Sequence, residues 1–119
     1  MLLNDLYTIT ATSSSDDILE AKIRLDQSHK IYKGHFPGQP ITPGVVEIQM
    51  IKEVLGHHLN RTLELETVGR CKFLSVLDPV RNPEFTLKIT NNVVDGVIRA
   101  NAEGYCGDQI FYKVSATYK

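Results

Sequence analysis

Cysteine is scarce in this 119-residue chain, which carries only Cys71 and Cys106. Two thiols so far apart build neither a metal cluster nor a disulfide framework, and such sparing use suits a reducing cytoplasm. Each is expected to be a small buried apolar side chain. Long apolar runs are missing too: none approaches the roughly 18 residues of a membrane span. The start, Met1-Leu2-Leu3-Asn4-Asp5, has neither the basic residues nor the apolar stretch of a secretory signal, so a cytoplasmic location is expected. Charge of one sign is also missing. Thirteen basic and fourteen acidic side chains leave a formal net charge of −1, which argues against a nucleic-acid partner. What remains, 42% hydrophobic and 23% charged residues without repeat or linker, reads as one globular domain over residues 1–119.

Alternation supplies the strands. Leu19, Ala21, Ile23 and Leu25 interleave with Glu20, Lys22 and Arg24, the period-2 pattern of a strand with one buried face. Residues 6–12 alternate similarly. Ser13-Ser14-Ser15-Asp16-Asp17 between the two is turn chemistry, so they are expected to pair as a hairpin. Phe85, Leu87 and Ile89 mark another strand, and Ile110, Tyr112, Val114 and Ala116 a further one. Asp95-Gly96 and Gly107-Asp108 place turns around a strand at 97–105. A strand within 63–76 ends before Pro79 and Pro83. The sum is a mostly antiparallel sheet of about six strands.

One segment reads as a long helix. Thr42 suits the cap, Pro43 the first helical position, and Gly56 the end. Val45, Val46, Ile48, Met50, Ile51, Val54 and Leu55 cover most of the circumference, leaving a polar stripe of Gln49, Lys52 and Glu53, with Glu47 isolated among apolar neighbours. A helix apolar on most sides must be buried on most sides. The fold class is therefore α+β, with a curved antiparallel sheet wrapped around one central helix.

Residues 29–44, HKIYKGHFPGQPITPG, hold three prolines and three glycines just before that helix, which forbids regular structure and fixes an unusual backbone path. His35 stands in this stiff loop. It can be a packed, hydrogen-bonded side chain, or the general base for which a rigidly held group titrating near neutrality is suited. The unpaired N–H groups at the helix start, at Gly44 above all, can polarise a carbonyl oxygen.

Gly34-His35-Phe36-Pro37-Gly38, then Pro40, then Pro43-Gly44-Val45, resembles the signature of the hotdog-fold 3-hydroxyacyl-[acyl-carrier-protein] dehydratases of the FabZ type. The order of elements is similar over nearly the whole chain, and Cys71-Lys72-Phe73 resembles the family's strand after the helix. The resemblance implies a lyase that removes water from a (3R)-3-hydroxyacyl thioester on acyl carrier protein or coenzyme A, leaving a trans-2-enoyl chain. In it, His35 takes the C2 proton and the Gly44 N–H holds the thioester oxygen. No metal or organic cofactor is implied, and the assembly implied is a homodimer, with higher assembly open. Tyr32, Phe36, Pro37, Gly38 and Val45 fall where such a site would contact the acyl chain; Tyr32 and Phe36 can equally pack in the core. Lys30, Lys33, Arg61, Arg70, Lys72 and Arg81 offer either a basic rim for an acidic carrier or scattered solvated charges.

One position departs from the pattern. The family's carboxylate, contributed by the partner subunit's helix, falls on Gln49, whose amide can hydrogen-bond a hydroxyl but cannot give it a proton. Glu53, one turn on, is a replacement acid or else a solvated neighbour of Lys52. Glu47 lies about 160° around the helix from Gln49 and is expected to meet a polar partner or water. His57 and His58 belong to the helix C-terminus or solvent. Three functions stay open: a dehydratase of reduced activity, a non-catalytic subunit that binds acyl thioesters, and a thioesterase using the same helix start. The resemblance also suggests a strained loop with a cis peptide at His35–Phe36.

Overall fold

The computed structural model describes residues 1–33 and 40–119. His35, Phe36, Pro37 and Gly38, and the expected cis peptide at His35–Phe36, lie outside the described residues.

Six strands form one antiparallel sheet: β1 (Tyr7–Ser15), β2 (Ile18–Leu25), β3 (Leu65–Phe73), β4 (Glu84–Val94), β5 (Val97–Cys106) and β6 (Gln109–Tyr118). Their spatial order is β1-β2-β4-β5-β6-β3, with β1 and β3 at the edges. Three two-residue turns close hairpins, and Asp16 (φ 51°), Asp95 (φ 53°), Gly96 (φ 79°) and Gly107 (φ 58°) take the left-handed backbone those turns demand. The first turn is shorter than expected. Ser13, Ser14 and Ser15 continue β1 and pair with Glu20, Leu19 and Ile18, so only Asp16 and Asp17 turn.

The register aligns the apolar faces. Leu19 lies opposite Ile89, which lies opposite Ala102, which lies opposite Val114. One step along, Ala21, Leu87, Gly104 and Tyr112 form a second row. Phe85 meets Phe111 and Tyr112 edge-on, with ring centroids 6.1 and 6.4 Å apart, the arrangement that aromatic quadrupoles favour.

The one long helix among the described residues, α1 (Gly44–Leu59), is buried as its composition demands, with Val46, Met50, Ile51, Val54 and Leu55 in the core. Both ends differ from the sequence reading. Pro43, not Thr42, is the N-cap, because the Thr42 hydroxyl is hydrogen-bonded to the Tyr32 hydroxyl at 2.9 Å. Gly56 does not stop the helix; Asn60 does, in the left-handed conformation asparagine tolerates (φ 56°). Gly56 answers a different need. A Cβ there would stand 2.8 Å from the Arg61 carbonyl oxygen, where the chain doubles back over the helix.

Strand β3 is unlike the others. All nine of its residues are exposed, among them Leu65, Val68 and Phe73, and Leu74 and Val76 extend this apolar strip. Its pairing with β6 slips between Val68 and Cys71. Both cysteines are exposed rather than buried: Cys71 lies on this edge, and Cys106 at the end of β5. No helix among the described residues is long and apolar enough to cross a membrane.

Candidate active site

The start of α1 is pinned from two sides. Tyr32, buried at the end of a single 3-10 turn (Lys30–Tyr32), reaches Thr42 across the loop. The Thr42 N–H donates to the Leu77 carbonyl at 3.0 Å. The two flanks of the His35 segment are thus held together by the Tyr32–Thr42 bond, whatever path lies between.

Beyond Thr42 the helix opens without a side-chain cap. The Val46 and Glu47 N–H groups both donate to the Pro43 carbonyl, at 3.0 and 3.1 Å. The Gly44 and Val45 N–H groups find no backbone acceptor among the described residues, and proline has no side-chain oxygen to offer them. A cleft of about 370 Å³ lies against this end, lined by Thr42, Pro43, Gly44, Glu47, Phe73 and Leu77, among others. The Phe73 ring closes over Gly44: a Cβ there would be 2.5 Å from its Cζ. Glycine at this position therefore permits both the ring and close approach of a ligand to the backbone.

Two carboxyl groups on α1 are buried, Glu47 on the apolar side where its sequence position puts it and Glu53 contrary to expectation. Glu53, read as a solvated neighbour of Lys52 or a spare acid, is 5% exposed. Its oxygens accept from the Leu2 N–H (3.0 and 3.1 Å), the Leu3 N–H (2.8 Å), the Tyr7 hydroxyl (3.0 Å) and the Gln49 amide (2.8 Å). Burial alone would push its pKa up, but the bonds from Gln49, Leu2, Leu3 and Tyr7 outweigh it and hold the carboxyl below its usual range. It is an ionised clasp for the N-terminal segment.

Glu47 is 3% exposed and receives no hydrogen bond from the described residues. Burial pushes its pKa up to about 8. Of the polar partner or water expected for it, no hydrogen-bonding side chain or backbone group stands among the described residues. In sequence its isolation from the polar stripe, among the apolar residues of a buried helix, was the sign.

Comparison with known proteins places this geometry. The ApeI-like model, described as ApeI dehydratase, matches residues 11–104. The chain belongs to the ApeI-like dehydratase family. A 3-hydroxyacyl-[acyl-carrier-protein] dehydratase FabZ of Fusobacterium nucleatum is 24% identical over 106 residues, covering 85% of this chain and 74% of that enzyme. A FabZ of Caulobacter sp. strain K31 is 36% identical over 50 residues, but the match covers 42% of this chain and only 31% of the Caulobacter protein. Among solved structures, the dehydratase heterocomplex ApeI:P from Xenorhabdus doucetiae superposes with a TM-score of 0.73 at 19% identity, covering 92% of this chain and 95% of that one. A thioesterase-like protein related to phenylacetic acid degradation, from Ralstonia eutropha, superposes with a TM-score of 0.64 at 12% identity, covering 91% and 82%. These likenesses establish a hotdog fold, the FabZ-like class the loop motif suggested.

In this ApeI-like chain the sequence-derived candidates divide between two clefts. Gly44 shares the first with Glu47 and Phe73. Gln49 and Glu53 share the second, of about 390 Å³, with Met1, Lys52, Gly56 and His57. Tyr32 is buried and structural in its contacts, whereas Val45 is 76% exposed beside the helix start. Phe73 and Glu47 are the residues that sequence reasoning left out of the site. His57 and His58 are exposed in the last turn, as expected.

Proposed function

We propose that this chain dehydrates (3R)-3-hydroxyacyl thioesters on acyl carrier protein to trans-2-enoyl thioesters in the building of fatty-acid or related acyl chains. The observation that carries the reading is the uncapped start of α1, where the Gly44 and Val45 N–H groups border a cleft roofed by Phe73. Donors fixed in that way stabilise negative charge developing on a thioester oxygen without reorganising during the reaction. Family membership supports the reaction class. His35, in the segment that precedes the helix in sequence, is the proposed base for the C2 proton, and Phe36, Pro37 and Gly38 of the same motif are the proposed substrate-binding residues. Removing that proton generates an enolate, whose charge the helix start offsets, and loss of the C3 hydroxyl follows.

Gln49 has a narrower role here. Glu53 is ionised and accepts only, so the Gln49 amide must present N–H to it. Its other N–H and its carbonyl oxygen are left to meet substrate, as a hydrogen-bonding group and not as an acid. The same substitution favours a second reading, a subunit that binds acyl thioesters without turning them over. A thioesterase has the Ralstonia likeness behind it, which is a likeness of fold.

The active unit is proposed to be a homodimer formed along β3, in the cytoplasm, with no metal or organic cofactor. Lys30, Lys33, Arg61, Arg70, Lys72 and Arg81 are all exposed and offer a basic rim to an acidic carrier. Incubation with a 3-hydroxyacyl pantetheine thioester separates the readings. Enoyl thioester is expected; free thiol would make the protein a thioesterase, and unchanged bound substrate a binding subunit.

A further inference from the structure

A dehydratase must protonate the departing hydroxyl, and neither side chain near the family's usual position does so here. Gln49 has no acidic proton, and Glu53 is held as a carboxylate by the N-terminal segment, Tyr7 and Gln49 itself. We propose that the Glu47 carboxyl is the acid of this site, giving its proton to the C3 hydroxyl as that group leaves as water. The inference rests on the dehydratase reading and names the residue that completes it.

Three observations converge on Glu47. It is 3% exposed, yet it lines the cleft at the helix start. It stands one turn from Gly44, a rise of about 4.5 Å along the axis. In a 3-hydroxyacyl thioester the hydroxyl oxygen is four bonds from the carbonyl oxygen, a comparable span. A substrate whose carbonyl meets the Gly44 N–H can therefore set its hydroxyl beside Glu47. Finally, the other described residues lining this cleft are Ile41, Thr42, Pro43, Gly44, Phe73, Leu74, Ser75, Val76 and Leu77, none of which is charged. An ionised carboxylate is poorly solvated in such a place, so the group stays protonated near neutral pH, as an acid must.

Among the described residues, the titratable groups around it are Tyr32 beside the loop, Cys71 on β3 and Tyr112 on β6. Burial is the main cause that raises each, and negative charge at Glu47 adds to it. None of these described groups is a cation that would hold Glu47 ionised. The proton count closes. The base gains the C2 proton, the C3–O bond breaks, and the hydroxyl takes the Glu47 proton to become water. The C2 electron pair forms the new double bond. Proton return from the base to the Glu47 carboxylate, through solvent, resets the site.

The test follows enoyl-thioester formation from a (3R)-3-hydroxyacyl pantetheine thioester across pH 5.5 to 9.5, in the wild type, Glu47→Gln and Glu47→Asp. Wild-type kcat is expected to fall on the alkaline side with a midpoint near 8. Glu47→Gln should lower kcat by about 10² or more with KM little changed, and should abolish that alkaline limb. Glu47→Asp should retain the limb at reduced rate. Wild-type kcat that stays flat to pH 9.5 overturns the assignment without any variant. So does a Glu47→Gln protein that keeps wild-type kcat, or one that loses rate while keeping the limb, which marks a structural role. A wild type that forms no enoyl product from any such thioester overturns the dehydratase reading itself, and this inference with it.

Discussion

Two glutamates six residues apart on one helix show how little a residue's identity says without its surroundings. Glu53 has donors on every side and is anionic; Glu47 has none among the described residues and keeps its proton. Their effects on stability against pH have opposite signs. A carboxyl whose folded pKa is depressed contributes stability above its unfolded value, near 4.5, and loses that contribution as pH falls through the lower folded value. A carboxyl whose folded pKa is raised costs stability progressively as pH climbs from about 4.5 to about 8, and the cost then levels off. Denaturant unfolding should accordingly show wild-type stability declining from pH 5.5 to 8.5, and Glu47→Gln should flatten that decline. The Gln49–Glu53 pair makes a separate prediction. Gln49→Glu removes a donor from a buried carboxylate and sets a second acid 2.8 Å away. It should lower stability at pH 7 by about 2 kcal/mol, the scale of one hydrogen bond to a charged group, and release the N-terminal segment to faster amide exchange. Unchanged unfolding and exchange would mean that the clasp does not hold in solution.

At the scale of elements, the sheet was legible because one face of each strand is buried, and period 2 then writes itself into the sequence. Leu19, Ala21, Ile23 and Phe85, Leu87, Ile89 alternate in sequence and pair across β2 and β4. β3 carries no such pattern, since both its faces are exposed, and its neighbouring prolines and the Cys71-Lys72-Phe73 resemblance betrayed it. The helix ends were misread for a related reason. Thr42 and Gly56 are suitable local signals, but Tyr32 claims the first and the Arg61 carbonyl explains the second, and both partners are distant or downstream. The loop motif revealed the family, whereas the cleft that Glu47 lines is closed by residues distant in sequence, Phe73 and Leu77 among them, and could not be read locally. Gly104 shows the same dependence. A Cβ there would stand 2.5 Å from Cε1 of Tyr112, a ring with no exposed surface and nowhere to move. Gly104→Ala should cost about 1–3 kcal/mol by overpacking, read as a lowered Tm. Gly44→Ala meets Phe73 at the same distance, but that ring is half exposed and can swing away, so its Tm should shift much less. Equal losses at both sites would refute the idea that ring mobility decides the cost.

For the molecule as a whole, the exposed edge at β3 is the feature that one chain leaves unresolved. A nine-residue strand with both faces in solvent and one side left without a partner strand among the described residues invites another strand. Its basic residues, Arg70 and Lys72, blunt that edge in part, and its slipped pairing with β6 twists it. Leu65, Val68 and Phe73, continued by Leu74 and Val76, pull the other way, since apolar side chains in a row gain by being covered. A second copy laid antiparallel along β3 would pair the free backbone groups of both chains and bury both apolar strips. The proposed site then draws on the Gly44 cleft of one chain and the Gln49 of its partner. Sedimentation at micromolar concentration should therefore find a dimer. Val68→Lys places a charge in the strip without touching the core or the proposed catalytic groups. It should shift the protein toward monomer while far-ultraviolet circular dichroism stays native. Dehydration per chain should fall with it, most at low protein concentration, as expected of a site shared between two chains. A wild type that sediments as a monomer, or a monomeric Val68→Lys with full activity, would mean that one chain holds a complete site and that β3 is exposed for another purpose.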